Sequence, residues 1–424
     1  MQMGNRRWIR MAAGALIMIC IGIIYMWSVF GGFVIEEYGW SASDSGLTAS
    51  FMIAFFSVGS LVGGKIQDKI GPRWVCLMGI IGFFVGVFSS SFTVAMGPVA
   101  LYLTFGVLGG FGGGFAYNAV MACIQKWFPD KINLATGVVV TCFGLATVVF
   151  SPVASAVGSA VGVSAALQIM GVVFLVACLI GWTQMKAPEE GWLPEGFELA
   201  GESAAESRQY TLSEALRTPQ MWIMFFGVML VMWTFFGINP ILKQIASERV
   251  GDASLATAAV MVASLGMACG RLFFPFVVNK IGRRWTAFTL AVMVFVSGIA
   301  LAFASGPVFL VLVFVAGVSA GAPGVVWPTW TAENFGLKNN GANFGFILLA
   351  VGLSSLLSMR VGSAFSAEFL GGDVSGYFLI GAVMAAIAAL LILLFKPVDH
   401  AKAGVEKPAG KKWLAFRSLR GERS

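Results

Sequence analysis

Charge is scarce in this sequence. Only 11% of its 424 residues are Asp, Glu, Lys or Arg, where a soluble domain carries roughly a quarter. With 58% hydrophobic residues and a mean hydropathy of +0.86, a water-soluble fold of this length could not hide its apolar surface, whereas lipid can solvate it. Histidine is almost missing. The one copy, His400, lies near the C-terminal end, so the core has no imidazole for a metal or a proton relay. Cysteine is sparse, and Cys20, Cys76, Cys123, Cys142, Cys178 and Cys269 all fall in apolar runs. They read as small packing residues rather than a disulfide framework or a metal cluster. No Asp or Glu stands in the middle of any apolar run, and no catalytic cluster appears. The expectation is therefore a non-enzyme without metal or cofactor.

What the chain does have is a succession of long apolar runs, each near the ~20 residues a helix needs to cross hydrocarbon. They are continuously apolar rather than alternating, which implies helices and not a barrel. The expected spans are 9–34, 46–66, 74–94, 97–126, 133–158, 163–185, 220–245, 252–279, 284–304, 306–332, 341–366 and 374–396. The first lacks a small-residue cleavage site and reads as a retained helix rather than a signal peptide. The fold class is thus all-α: a polytopic membrane protein of about twelve transmembrane helices in two six-helix bundles. A polar, glutamate-rich stretch separates the bundles. The expected domains are an N-terminal half (1–186), a linker (187–219), a C-terminal half (220–396) and a basic tail (397–424).

The formal net charge of +7 raises nucleic acid as a partner, but its distribution excludes it. Of 27 basic residues, 23 fall in the termini, the linker and every second loop, while only Lys243 and Arg249 fall in loops of the other side. That bias predicts both termini in the cytoplasm of a cell (inner) membrane protein. The partners expected are the bilayer and a small solute, with the chain a monomer.

The halves repeat. Met26-Trp27-Ser28-Val29-Phe30-Gly31 is echoed by Met232-Trp233-Thr234-Phe235-Phe236-Gly237. Gln67-Asp68-Lys69-Ile70-Gly71-Pro72-Arg73-Trp74 is echoed by Val278-Asn279-Lys280-Ile281-Gly282-Arg283-Arg284-Trp285. Gly137 and Gly144 match Gly345 and Gly352. A parallel duplication with solute bound between the halves is how many secondary transporters are built. In helix 4, Gly106, Gly110 and Gly114 recur every fourth residue, a surface that lets helices approach closely. No strand or P-loop lysine accompanies them, so a phosphate site is a weak reading.

The segment Gly64-Lys65-Ile66-Gln67-Asp68-Lys69-Ile70-Gly71-Pro72-Arg73 resembles the loop 2–3 signature of the major facilitator superfamily. Together with Tyr25/Trp27, the glycine run and Trp127-Phe128-Pro129-Asp130-Lys131, it resembles the oxalate/formate antiporter family, related to the monocarboxylate transporters. The resemblance implies the major facilitator fold and alternating access. It also implies gating by the loop residues Asp68, Arg73, Asn279 and Arg283.

Arg271 is the residue that points to chemistry. It lies nine residues before Lys280, roughly 13 Å into the bilayer at 1.5 Å per residue. A mid-membrane charge costs a few kcal/mol on insertion scales, and arginine offers a planar fork that fits a carboxylate. No protein carboxylate stands at its depth, so the solute is the expected counter-ion; the resemblance places its substrate arginine here too. Tyr117 and Asn118 are further candidates, with Tyr25 behind them, since all can hydrogen-bond a carboxylate or hydroxyl. Burial against another helix accounts for Tyr117 and Asn118 equally well. Arg360 lies near the outer end of helix 11, where it can snorkel, and Glu333 near the cytoplasmic end of helix 10.

The chain also departs from the oxalate carrier. Val351 stands where that protein has a lysine, and Phe143, Ala320, Gly324 and Leu348 stand where it has cage aromatics. Met267 stands where monocarboxylate transporters have an aspartate. The expected function is carriage of a small organic anion, foremost a monocarboxylate, with a coupling proton or counter-anion left open. The alternatives are a carrier of neutral or drug-like compounds and a dicarboxylate/formate exchanger.

Overall fold

The computed structural model describes residues 3–189, 192, 194, 209–336 and 339–398, and among these every regular element is a helix. The side chains of Asp68 and Lys69, most of the linker, Lys338 and the tail with His400 lie outside the described residues.

Eleven apolar segments are present: α1 (Arg7–Tyr38), α2 (Ser43–Gln67), α3 (Pro72–Met96), α4 (Pro98–Trp127), the run Leu134–Trp182, α7 (Pro219–Val231 continued by Trp233–Val250), α8 (Ala258–Ile281), α9 (Arg283–Phe303), α10 (Gly306–Phe335), α11 (Asn340–Phe369) and α12 (Ser375–Leu393). The 49-residue run would be about 74 Å long as one helix, more than twice the hydrocarbon thickness. It is broken at Gly162, whose φ of 78° and ψ of 165° are non-helical, into α5 (134–161) and α6 (163–182). The glutamate Glu37 accepts the Val163 N–H at 2.9 Å there and satisfies the new helix start. Twelve passes result, in agreement with the apolar runs.

Local chemistry sets the ends. Ser41 caps the second pass by accepting the Asp44 N–H, and Thr218 caps α7 just before Pro219. The duplicated loop signature makes the same turn twice: Gly71 and Gly282 both have φ of 81°, with ψ of 161° and 166°. A side chain rarely tolerates that backbone, so both copies hold glycine.

Within each half, glycines allow close packing. A Cβ at Gly110 or Gly114 would strike the backbone carbonyls of Met52 or Phe56 on α2, and one at Gly106 would lie 2.8 Å from the Phe51 Cβ. The C-terminal half repeats this, with Gly317 and Gly321 of α10 against the Ala263 and Met267 carbonyls of α8. At the basic face, the Trp-Phe-Pro-Asp-Lys element ties down the N-terminus. Arg7 pairs with Asp130 at 2.9 Å, Arg10 lies 3.9 Å from the Trp127 ring centroid, and the Trp127 indole donates to the Lys186 carbonyl.

Between the halves run two seams. In one, α2 meets α11 along its whole length. Gly46 faces Met359 at one end, Ala54 and Leu61 face Gly352 and Gly345, and Gly64 faces Gly341 at the other. In the other, α5 meets α8, with Gly137 and Gly144 against Arg271 and Ala268. The α2–α11 seam is in contact at both of its ends.

Candidate functional site

Two helices lose regular geometry at mid-membrane: α1 turns 3₁₀ over Gly22–Met26, and α7 breaks at Met232. A third, α10, keeps helical dihedrals at Ala322 but lacks an N–H donor at Pro323. Irregular backbone is tolerated at that depth only where protein or a cavity covers it. All three places border one partly enclosed cavity of about 60 Å³ between the halves, and Tyr25, Met232, Pro323 and Gly324 line it. The remaining wall includes Tyr117, Phe143, Arg271, Trp327 and Phe344.

Arg271 projects from α8 across the α5–α8 seam. It is 4% exposed, and its Nη1 donates to the Val140 carbonyl of α5 at 2.8 Å. Its Nε has no partner. The ion pairs among the described residues, Arg7–Asp130, Arg249–Asp373 and Arg283–Glu333, do not include it. Among the described residues, no carboxylate lines the cavity. A buried guanidinium with only neutral partners, the Val140 carbonyl and the neighbouring Tyr25, is under-compensated, because burying a charge is costly unless it is paired and fully hydrogen-bonded.

Aromatic rings surround this cation. Its Cζ lies 5.9 Å from the Tyr25 centroid and 5.8 Å from that of Phe143, within cation–π range. Phe143 in turn packs edge-on against Tyr25 at 5.4 Å and Tyr117 at 5.2 Å, and Phe56 closes the group. Such a pocket can take a small anion: one fixed positive fork, two phenols and apolar walls that exclude water.

Of the residues singled out from the sequence, Arg271, Tyr25 and Tyr117 come together. Asn118 does not line the cavity. One residue further round the helix, its amide donates to the carbonyl and hydroxyl oxygens of Ser60 on α2 at 2.8 and 3.1 Å. Arg360 is exposed at the far end of α11 and does not reach the cavity. Arg73 lies over the Trp182 ring at 4.6 Å, whereas its counterpart region in the other half uses an ion pair, Arg283–Glu333 at 3.1 Å. Asn279 is exposed at the basic face. Phe56, Trp327 and Phe344 were not singled out. Aromatics in apolar helices carry no mark that separates a cavity wall from a lipid face. The signal that existed was the repeat, since Phe56 holds the place in α2 that Met267 holds in α8.

Among the described residues, twelve passes in two repeated halves, packed around a central cavity beside a buried cation, define a membrane solute carrier. The chain belongs to the major facilitator superfamily: the family model for Major Facilitator Superfamily matches residues 12–242 and again 224–424. It is 28% identical over 417 residues to the oxalate:formate antiporter of Oxalobacter formigenes, covering 93% of this chain and 92% of that protein. It is also 28% identical over 134 residues to monocarboxylate transporter 13 of Rattus norvegicus, covering 32% and 31% of the two chains. The fold matches that of FucP, an E. coli fucose:proton symporter solved in the outward conformation, with a TM-score of 0.63 at 13% identity over 92% of this chain and 99% of that one.

Proposed function

We infer that this transporter carries a small monocarboxylate, such as lactate, pyruvate or a similar short acid, with Arg271 as the anion's counter-ion. The observation that carries this reading is the under-compensated guanidinium. A buried fork with one nitrogen unbonded, in a wall free of carboxylates, is completed by an anion from outside the protein. The cavity agrees in size, since about 60 Å³ holds only a few waters' worth of solute at roughly 10–15 Å³ each. Tyr25 and Tyr117 line the same cavity, and on this reading their hydroxyls donate hydrogen bonds to the solute.

Exchange of a dicarboxylate for formate is the second reading, favoured by likeness to the oxalate:formate antiporter. Against it stands a charge count. A dicarboxylate brings two charges into a site that offers one cation, with Val351 where the oxalate carrier has a lysine. Uptake of a labelled monocarboxylate into proteoliposomes, with oxalate, lactate and pyruvate as competitors, decides between them. Stronger competition by oxalate than by the monoacids would overturn the monocarboxylate reading.

The same proposal places both termini in the cytoplasm of the cell (inner) membrane, with halves 1–186 and 220–396 joined by 187–219. Glu37 and Glu368 are both exposed away from the basic face. Cysteines placed there, in a background free of native cysteines, label from outside with an impermeant reagent if the orientation is right. Labelling only in inverted vesicles reverses it. Asp68, in the loop signature, serves the conformational cycle, so Asp68→Asn slows transport and leaves equilibrium binding nearly intact.

A further inference from the structure

The carbonyl that holds Arg271 belongs to the opposite half, and an α-helical carbonyl is ordinarily covered. Val140 O is already the acceptor for the N–H four residues on, and the side chain at that position shields it from a neighbouring helix. Here that position is Gly144. A Cβ at Gly144 would collide with Arg271 Nη1 and lie 3.3 Å from its Cζ. The two observations coincide: the bond the guanidinium makes across the seam, 2.8 Å to Val140, passes through the space that a side chain at residue 144 would fill.

Other glycines near the arginine differ. At Gly137, two turns along α5 on the same seam, a Cβ would meet only the Arg271 backbone oxygen at an ordinary 3.9 Å. At Gly352, the repeat mate of Gly144, a Cβ would meet Ala54 Cα at 2.9 Å and Ser57 Oγ at 3.0 Å, with no cation involved. Proximity of helices explains Gly352, whereas the collision at Gly144 is with the functional end of one side chain.

We propose that Gly144 is a positioning residue for solute binding: by leaving the Val140 carbonyl bare, it sets the guanidinium of Arg271 across the seam, with Nη1 spent on the opposite half and the remaining edge turned to the anion. This rests on the reading of Arg271 as the anion's counter-ion. It adds that the fork's direction is fixed by a missing side chain on the other half. Closure of the α5–α8 seam and presentation of the fork are then one event, because the arginine finds its carbonyl only when the halves meet.

The test has two arms on the full chain in detergent. In the first, binding of labelled lactate or pyruvate is measured for Gly144→Ala and Gly137→Ala. Loss of one charged hydrogen bond predicts a rise in Kd of about tenfold to a hundredfold for Gly144→Ala. Gly137→Ala stays within about twofold, its new Cβ being in ordinary contact. In the second, ligand-free thermal unfolding compares Gly144→Ala alone and combined with Arg271→Ala. The collision predicts a lowered Tm in the single variant and no further lowering when the guanidinium is gone. Recovery of folded Gly144→Ala only in the Arg271→Ala background gives the same support. An equal drop in both backgrounds makes Gly144 a plain packing residue and overturns the proposal, as does an unchanged Kd in Gly144→Ala. If Arg271→Ala itself leaves anion binding unchanged, the counter-ion reading fails, while the thermal arm still reports whether Gly144 makes room for the arginine.

Discussion

The two seams between the halves have the same backbone and different chemistry. Both place a glycine pair of one helix against the other half: Gly137 and Gly144 of α5 on α8, and Gly345 and Gly352 of α11 on α2, with the second pair packed closer to its partner's backbone. Even the facing positions correspond, since Ala268 near Gly144 and Ser57 near Gly352 hold matching places in the repeat. Yet α8 sends Arg271 across its seam, while the matching residue of α2, Ser60, stays in its own half with Asn118. Ser57 likewise spends its hydroxyl on its own helix, donating to the Ile53 carbonyl at 3.0 Å. Duplication preserved the glycines at both seams, and only one of the two seams carries a buried cation.

The sharpest way to break this comparison is to remove the asymmetry. Arg271→Ala is expected to lower the initial rate of monocarboxylate uptake by about 30- to 1,000-fold, as for truncation of a buried charged partner. Arg271→Lys is expected to fail nearly as badly, because an ammonium keeps the charge and loses the fork. Near wild-type uptake by a well-folded Arg271→Lys would show that a point charge suffices. A second cation on the other seam sharpens the contrast. Val351 lines the cavity, and Val351→Lys is expected to improve oxalate's competition relative to lactate by roughly tenfold. No change in that ratio would refute the charge count.

Smaller effects separate packing from binding. Gly352→Val overfills the α2–α11 seam and, at ~1–3 kcal/mol of strain in the closed form, is expected to slow transport more than tenfold. Its equilibrium Kd is expected to move by less than about threefold, because no cation is touched. A larger loss of affinity than of rate would mean that this seam also shapes the site. Smallest of all, Glu333→Gln removes a part-exposed pair with Arg283, whose side chains are 53% and 30% exposed. Such pairs contribute about 0–1 kcal/mol, so the uptake rate is expected to change by less than about fivefold.

Much of this was legible in the chain. The twelve passes follow from apolar runs separated by charge, because lipid demands them. The repeat was visible in the two loop signatures, and their shared turn glycines confirm it in three dimensions. Arg271 announced itself as a lone charge in an apolar helix. Asn118 looked equivalent to Tyr117, but a helix rotates about 100° per residue, and the next position faces α2 instead of the cavity. The share of Val140 was invisible, since a backbone carbonyl has no residue type. Its trace was the glycine four residues on, which reads as packing until a guanidinium is seen above it. The aromatic wall depends on how the halves close together, a long-range fact that local pattern does not encode.

One further consequence lies in the lining's composition. Among the described residues it holds no carboxylate and no histidine, the side chains that ordinarily change charge between about pH 4 and 7. If the solute is the anion inferred above, acidity is expected to act on the passenger rather than on this lining. As the medium is acidified, apparent affinity expressed per total acid falls along the solute's own titration curve, while affinity expressed per anion stays level. On that reading, each weak acid offered to the protein is expected to supply its own pH profile, set by the fraction of it that is charged.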